Sequence, residues 1–244
     1  MKKLPIARLP ELFAAISGEK TLYIPAQDAS GVSKFTVWQE GMTLSPALNT
    51  VRSAKDLFFP QVENLMGFKV TGKQIEVLEN RDVTAPFVLF GVRACDCRSF
   101  DVLDRVFLAE PVDTYYQTRR ENGTIVTMAC TEPEETCFCG AFGIDAADPA
   151  GDVTCWLDAE NLYWRANTEK GEALTKSLSC LADGGDEAVA EQQAQTRAVM
   201  SKLPLHDLDL SSFGAGKTKD LFDRPEWKQL SESCLGCGTC TFVC

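Results

Sequence analysis

The last eleven residues, CLGCGTCTFVC from Cys234 to Cys244, hold four cysteines spaced C-x2-C-x2-C-x3-C. Short Cys-x2-Cys steps bring thiolates to one side of a tight loop, where backbone amides can donate to the sulfurs. Gly236 and Gly238 let such a loop wrap closely. Zinc also uses cysteine pairs, but its sites usually join two pairs across a long spacer. Three evenly spaced cysteines with a fourth after three residues is the spacing of a [4Fe–4S] run. The spacing predicts that Cys234, Cys237 and Cys240 ligate one such cluster, with zinc or free thiols as the weaker alternatives. Where two clusters share a module, the fourth cysteine of a run ligates the neighbouring cluster. On that rule Cys244 reaches a second cluster whose other ligands lie beyond the sequence, which is then a piece of a longer protein. The alternative is that Cys244 closes a single cluster by itself.

A second set of cysteines, Cys95, Cys97, Cys130, Cys137 and Cys139, falls in two stretches, GVRACDCRSF and MACTEPEETCFCG. Each follows an apolar run that reads as a buried strand, residues 87–92 and 124–128. In a parallel sheet the loops that follow the strands gather on one edge, where ligands bind. Cys95, Cys130, Cys137 and Cys139 are therefore expected to converge on one four-thiolate site. It would hold [4Fe–4S] or, second, [2Fe–2S], with Cys97 as the alternative ligand. Buried structural cysteine is the competing reading, but Cys-Phe-Cys after a Pro-Glu-Glu-Thr loop does not look like core. Four thiolates make a cluster anionic, so Arg93, two residues before Cys95, is expected to stabilise it. Arg119 and Arg120 either do the same or sit in a solvated turn. Cys155 and Cys180 stand singly in strand and helix patterns and read as core. The single histidine, His206, argues against His-rich zinc sites and against Ser-His-Asp or Cys-His hydrolase plans; it reads as structural or solvated. No catalytic acid–base pair or nucleophile with a base is evident.

Both sets need a scaffold. With 244 residues, 45% of them apolar, the chain can bury a core without disulfide staples. No apolar run reaches the ~18 residues of a membrane span. Leu9, Leu12, Phe13 and Ile16 recur at helical spacing and mark an amphipathic helix rather than a signal peptide. A net charge of −11 argues against nucleic acid and anionic membranes. Eleven cysteines without a secretory signal point to metal or redox chemistry in a reducing cytoplasm. Strands are expected at TLYIPA, at SKFTVWQEG ending on Gly41, and at KQIEVLEN. The 87–92 strand runs into a loop carrying Cys95 and Cys97. A helix over 99–110 follows, with Val102, Leu103, Val106 and Phe107 as its apolar face, and then the 124–128 strand. Strand, loop, helix, strand is the pattern of a parallel α/β unit. DVTCWLDAENLYWRA reads as a hairpin feeding a helix, and EAVAEQQAQTRAVMSKL as a helix of strong helix formers. GAGK near Gly214 does not fit a phosphate-binding loop, and no G-x-G-x-x-G follows a strand.

At FFPQVENL, LFGVRACDCRSFDVLDRVF, YYQTRREN, ACTEPEETCFCGAFG and the terminal cysteine run, the sequence resembles the iron–sulfur electron-transfer subunits of the sulfhydrogenase beta and anaerobic sulfite reductase A type. The resemblance covers about residues 55–244. The element pattern gives an α/β (or α+β) N-terminal domain over 1–203, and the loss of apolar periodicity over 204–227 marks a connecting segment; the resemblance implies the first half of a ferredoxin-like two-cluster domain over 228–244. It also implies a role: relaying electrons between a flavin subunit that oxidises NAD(P)H and a hydrogenase, sulfite reductase or heterodisulfide-reductase-like partner. Two other readings remain open. One is a catalytic redox subunit binding flavin or substrate at the 95–139 cysteines. The other is a zinc-stabilised interaction module.

Overall fold

Four apolar runs with β-branched and aromatic character become the parallel centre of one mixed sheet. A computed structural model of the chain describes residues 1–78 and 85–243. Its first half contains β1 (Lys2–Pro5), α1 (Leu9–Ser17), β2 (Thr21–Gln27), β3 (Ser33–Val37), β4 (Gly67–Thr71), β5 (Gln74–Leu78), β6 (Phe87–Val92) and α2 (Ala94–Phe107). Then come α3 (Thr114–Asn122), β7 (Gly123–Met128), β8 (Val153–Leu157), β9 (Asn161–Ala166), α4 (Glu169–Ser177), β10 (Ala182–Asp183), α5 (Asp186–Met200), α6 (Glu226–Ser231) and α7 (Thr239–Val243). The eight-stranded sheet has the order β10-β1-β9-β8-β7-β6-β2-β3, and β4 pairs separately with β5. β2, β6, β7 and β8 run parallel, while β3, β9, β1 and β10 join antiparallel at the flanks. The chain is thus mixed α/β.

β6 and β7 are buried along their whole length, as strands covered on both faces must be. Val88, Phe90 and Val126 face Leu12, Phe13 and Ile16 of α1 and Leu174 of α4. Phe87, Leu89 and Ile125 face the other way, onto Phe58, Phe100 of α2 and Tyr116 of α3. Because β6 and β7 are parallel, the segments that leave them, beginning at Arg93 and Ala129, emerge on the same edge. β6 carries a bulge between Phe90 and Val92. Gly91 takes φ +89° there, and a Cβ would meet the Pro25 ring at 2.9 Å, so glycine is required on both counts.

Several expectations change. α2 begins at Ala94, so Cys95 and Cys97 ride its first turns rather than a loop. Cysteine and aspartate are weak helix formers, which hid that start; the Cys97 amide nonetheless closes the turn onto the Arg93 carbonyl at 2.8 Å. The expected apolar face of this helix is half wrong. Val102 and Val106 are 55% and 62% exposed, whereas Ala94, Cys97 and Phe100 are buried, with Leu103 and Phe107 packed beside them. β3 stops at Val37, short of Gly41. Residues 79 and 80, the end of the KQIEVLEN strand, lie outside the described residues, as does Cys244. β1, β4, β10 and α3 carried too little periodicity to be foreseen. The RREN stretch belongs to α3 and serves structure. Arg119 pairs with Glu63, and Arg120 holds the Asp104 carboxylate with both nitrogens at 2.8 Å. No helix among the described residues is long and apolar enough to cross a membrane.

Candidate metal centre

The two cysteine stretches meet at the edge where β6 and β7 end. Cys95 projects from the first turn of α2, Cys130 follows β7 two residues past its end, and Cys137 and Cys139 come from the long connection to β8. The Cys95 and Cys139 thiols lie close enough to shift each other's ionisation. That interaction, with burial adding to it, pushes the Cys95 thiol far up; on Cys139 it works against burial and holds the thiol below the usual range. Cys130 is raised, first by burial, and it feels the charges of both Cys95 and Cys137. Cys139 in turn feels Cys130 and Cys137. The four thiols therefore lie within electrostatic reach of one another. Among the described residues, no group of three or more His, Cys, Asp or Glu side chains is arranged to hold a single metal ion.

Cys97 points elsewhere. Two residues along a helix turn a side chain to a different face. Its thiol is buried, donates to the Ala150 carbonyl at 3.1 Å, and is pushed up to about 12, chiefly by burial. After burial, the charges that act on it most are those of Asp101, Arg120, Asp152 and Asp96.

Arg93 lies beside Cys130. Its Nε donates to the Leu48 carbonyl at 3.0 Å and its Nη1 to the Ala129 carbonyl at 2.9 Å. Its charge and a hydrogen bond both act to lower the Cys130 thiol against the effect of burial. Cys130 packs with Ala146 and Met200, and Leu48, Leu203 and Cys139 close around them. On the opposite side is a hollow of about 590 Å³, lined by Cys95, Cys137 and Cys139 together with Val102, Phe138, Phe142 and Ile144. Phe138 and Phe142 stand with ring centroids 5.7 Å apart and are about half exposed.

Two further features belong to this edge. A Cβ on Gly140, the residue after Cys139, would lie 2.3 Å from Nδ1 of His206, so the imidazole rests directly on the Cys139–Gly140 backbone. Nδ1 of His206 is buried and has no hydrogen-bond partner. His206 reaches this place because the chain turns after α5, its amide donating to the Leu203 carbonyl at 3.1 Å.

The terminal run is a separate, exposed structure. Gly236 and Gly238 have φ of +66° and +74°. Cys234 accepts a hydrogen bond from the Gly236 amide at 3.4 Å, the backbone-to-sulfur pattern expected of a cluster loop. Cys237 lies 3.3 Å from the Thr239 hydroxyl, and that contact, reinforced by the Thr239 amide, lowers its thiol. Cys234, Cys237 and Cys240 are all exposed. Cys155 and Cys180 are buried in the core, as expected.

No family model matches the chain, and no solved structure matches it. Among curated proteins it is similar to Sulfhydrogenase 2 subunit beta of Pyrococcus furiosus, with 33% identity over 191 residues, 77% of this chain and 54% of that protein. The chain belongs to a sulfhydrogenase beta-like family. It spans about half the length of the sulfhydrogenase subunit it matches. Within this sulfhydrogenase beta-like chain, sequence reasoning missed Gly140 and His206 as parts of the edge. Their approach joins residues distant in sequence, so no local pattern points to it. The aromatic hollow is equally hidden in the sequence, because helical spacing places Val102 on the buried face of α2 whereas it is 55% exposed.

Proposed function

We propose that this chain is an iron–sulfur electron-transfer subunit of a multisubunit, hydrogenase-type oxidoreductase. The observation that carries the reading is the meeting of Cys95, Cys130, Cys137 and Cys139 from separate segments at one sheet edge, with Arg93 beside Cys130. Buried structural cysteines have no reason to converge, and a guanidinium there offsets the negative charge of a thiolate-ligated cluster. These residues fit a cluster, most simply [4Fe–4S] with [2Fe–2S] as the second choice. A cluster bound there would supply one-electron transfer without proton chemistry at the protein. The chain's own residues hold the thiolates in place, keep water from Cys130 through Met200, Leu203 and Ala146, and leave the Cys95–Cys137–Cys139 side open at the hollow. Cys234, Cys237 and Cys240 would hold a further [4Fe–4S] cluster. Residues 228–244 would then be the first half of a ferredoxin-like module, with Cys244 serving a neighbouring cluster. Partners of the class implied are a flavin subunit oxidising NAD(P)H and a hydrogenase, sulfite reductase or heterodisulfide-reductase-like subunit.

The hollow favours a second reading. About 590 Å³ walled by two aromatic rings next to three thiols has the size and lining of a small-molecule pocket. A flavin or substrate bound there would make the chain catalytic. Anaerobic purification with iron, sulfide, zinc and flavin analysis separates the readings. The electron-transfer role predicts brown protein that bleaches on reduction and carries iron and sulfide without flavin. Stoichiometric zinc without iron would overturn it, and tightly bound flavin with substrate turnover by the chain alone would favour the second reading.

A further inference from the structure

We infer that His206 is a hydrogen-bond donor to the cluster of the 95–139 site and sets its reduction potential; the inference rests on the cluster reading above. The argument starts from an orphan. Buried polar groups are almost always paired, and an unpaired one calls for an explanation. Among the described residues, three side-chain atoms are buried without a partner: Trp38 Nε1, Gln192 Oε1 and His206 Nδ1. His206 alone of these stands at the cysteine edge, on the backbone between Cys139 and Ala141.

The placement is built, not incidental. Met200 at the end of α5 is buried with Cys130 and Ala146, and Leu203 and Cys139 both pack against that cluster. The turn from Leu203 to His206 is closed by a backbone hydrogen bond of 3.1 Å. Gly140 provides the room, since any side chain there would collide with the ring at 2.3 Å. The ring's other nitrogen, Nε2, is 3.7 Å from an Asp207 carboxylate oxygen, beyond hydrogen-bond length. No hydrogen bond at Nε2 therefore fixes the tautomer against Nδ1–H.

The missing partner must accept a hydrogen bond and lie beside the Cys139–Gly140 backbone, and no protein group does so. Thiolate or sulfide sulfur of a cluster held by Cys139 meets both conditions, and an ordered water is the competing partner that the test below separates from it. Hydrogen bonds to cluster sulfur favour the more negative, reduced state and so raise the potential. His206 is then a tuning residue, not a ligand.

The chain's single histidine makes the test selective. Protein grown with 15N-histidine, loaded anaerobically and reduced, carries the label at this side chain alone. Pulsed magnetic resonance on the reduced cluster is expected to show a weak nitrogen coupling that changes with the isotope. A strong coupling would mean direct ligation and would overturn the inference, as would no coupling. Independently, His206→Phe is expected to keep iron and sulfide content while shifting the midpoint potential of one cluster to a more negative value. His206→Gln, which retains an N–H donor, should recover part of that shift. An unchanged midpoint in His206→Phe at full iron content sinks the inference and leaves the cluster reading standing. If unmodified protein binds no iron with sulfide, the cluster reading itself fails. Should neither variant load, the labelled native protein decides.

Discussion

Cys97 and Cys137 are the same chemical group in two settings, and the difference predicts how each tolerates change. Cys97 is buried and donates to a carbonyl, a role serine can take over. Cys97→Ser is expected to keep its iron at the level of the unmodified protein, whereas Cys137→Ser should lose iron and the associated visible absorption. The reverse result in iron analysis would mean that Cys97 is the ligand. Asp104 carries a different kind of weight. Burial works against its carboxylate, but hydrogen bonds from Arg120 and from the Tyr116 hydroxyl at 2.6 Å hold its pKa below the ordinary range. Arg120 also lies over the Phe58 and Phe100 rings, at 5.7 and 5.5 Å from their centroids. A depressed folded-state pKa gives stability that is fully present above the unfolded value of about 4 and is lost as pH falls through the folded value. Asp104→Asn should therefore cost about 2 kcal/mol at neutral pH and lose less further stability below about pH 4 than the unmodified chain. Urea denaturation at pH 7 and at pH 3.5 checks both parts; parallel losses at the two values would remove Asp104 from the acid response.

At the level of elements, the β4–β5 hairpin stands apart. Its register pairs Phe68 with Val77 and Val70 with Ile75, so these four side chains share one face, while Lys69 and Glu76 pair on the other. The four apolar residues are 58–70% exposed, which means that the hairpin draws little stability from the core. Val70→Ser and Ile75→Ser are accordingly expected to change the unfolding free energy by less than about 0.5 kcal/mol each. They should also improve solubility, since an exposed apolar strand pair invites association. A loss above about 2 kcal/mol in denaturant titration would show that the hairpin packs more tightly than its exposure indicates. α2 behaves in the opposite way. Its first turn brings Cys95 to the site and sends Cys97 into the core, and a hydrogen bond of 2.8 Å from Ser53 to Asp96 fixes that turn from outside.

For the whole molecule, the relay proposed above sets an expectation for its activity. The isolated chain is expected to show no NADH-dependent dye reduction, because no nucleotide-binding loop is present in its sequence. It should gain that activity only with a flavin partner. Steady NADH oxidation by the chain alone would overturn the relay. In a longer form that carries both halves of the terminal module, Cys237→Ser and Cys244→Ser should damage different clusters, resolved by magnetic resonance of the reduced protein. Loss of the same signal in both would make the terminal run a self-contained four-ligand site.

The tight turns of the terminal run were legible from its glycines, since Gly236 and Gly238 take positive φ and such freedom is a local property. The strands 87–92 and 124–128 and the helices α1 and α5 were legible for a similar reason: periodicity and buried-run composition are written in consecutive residues. From two parallel strands it also followed that Cys95 and the Cys130–Cys139 stretch would leave on one edge. What the tertiary structure alone decided was which thiol of the Cys95–Cys97 pair faces that edge. The answer depends on α2 starting at Ala94, and that start is stabilised by Ser53, more than forty residues away in sequence. It likewise decided that Arg119 and Arg120 serve Glu63 and Asp104, and that the one histidine lies on Gly140. Pairings across such separations follow from how layers pack, and no local pattern of residue types encodes them.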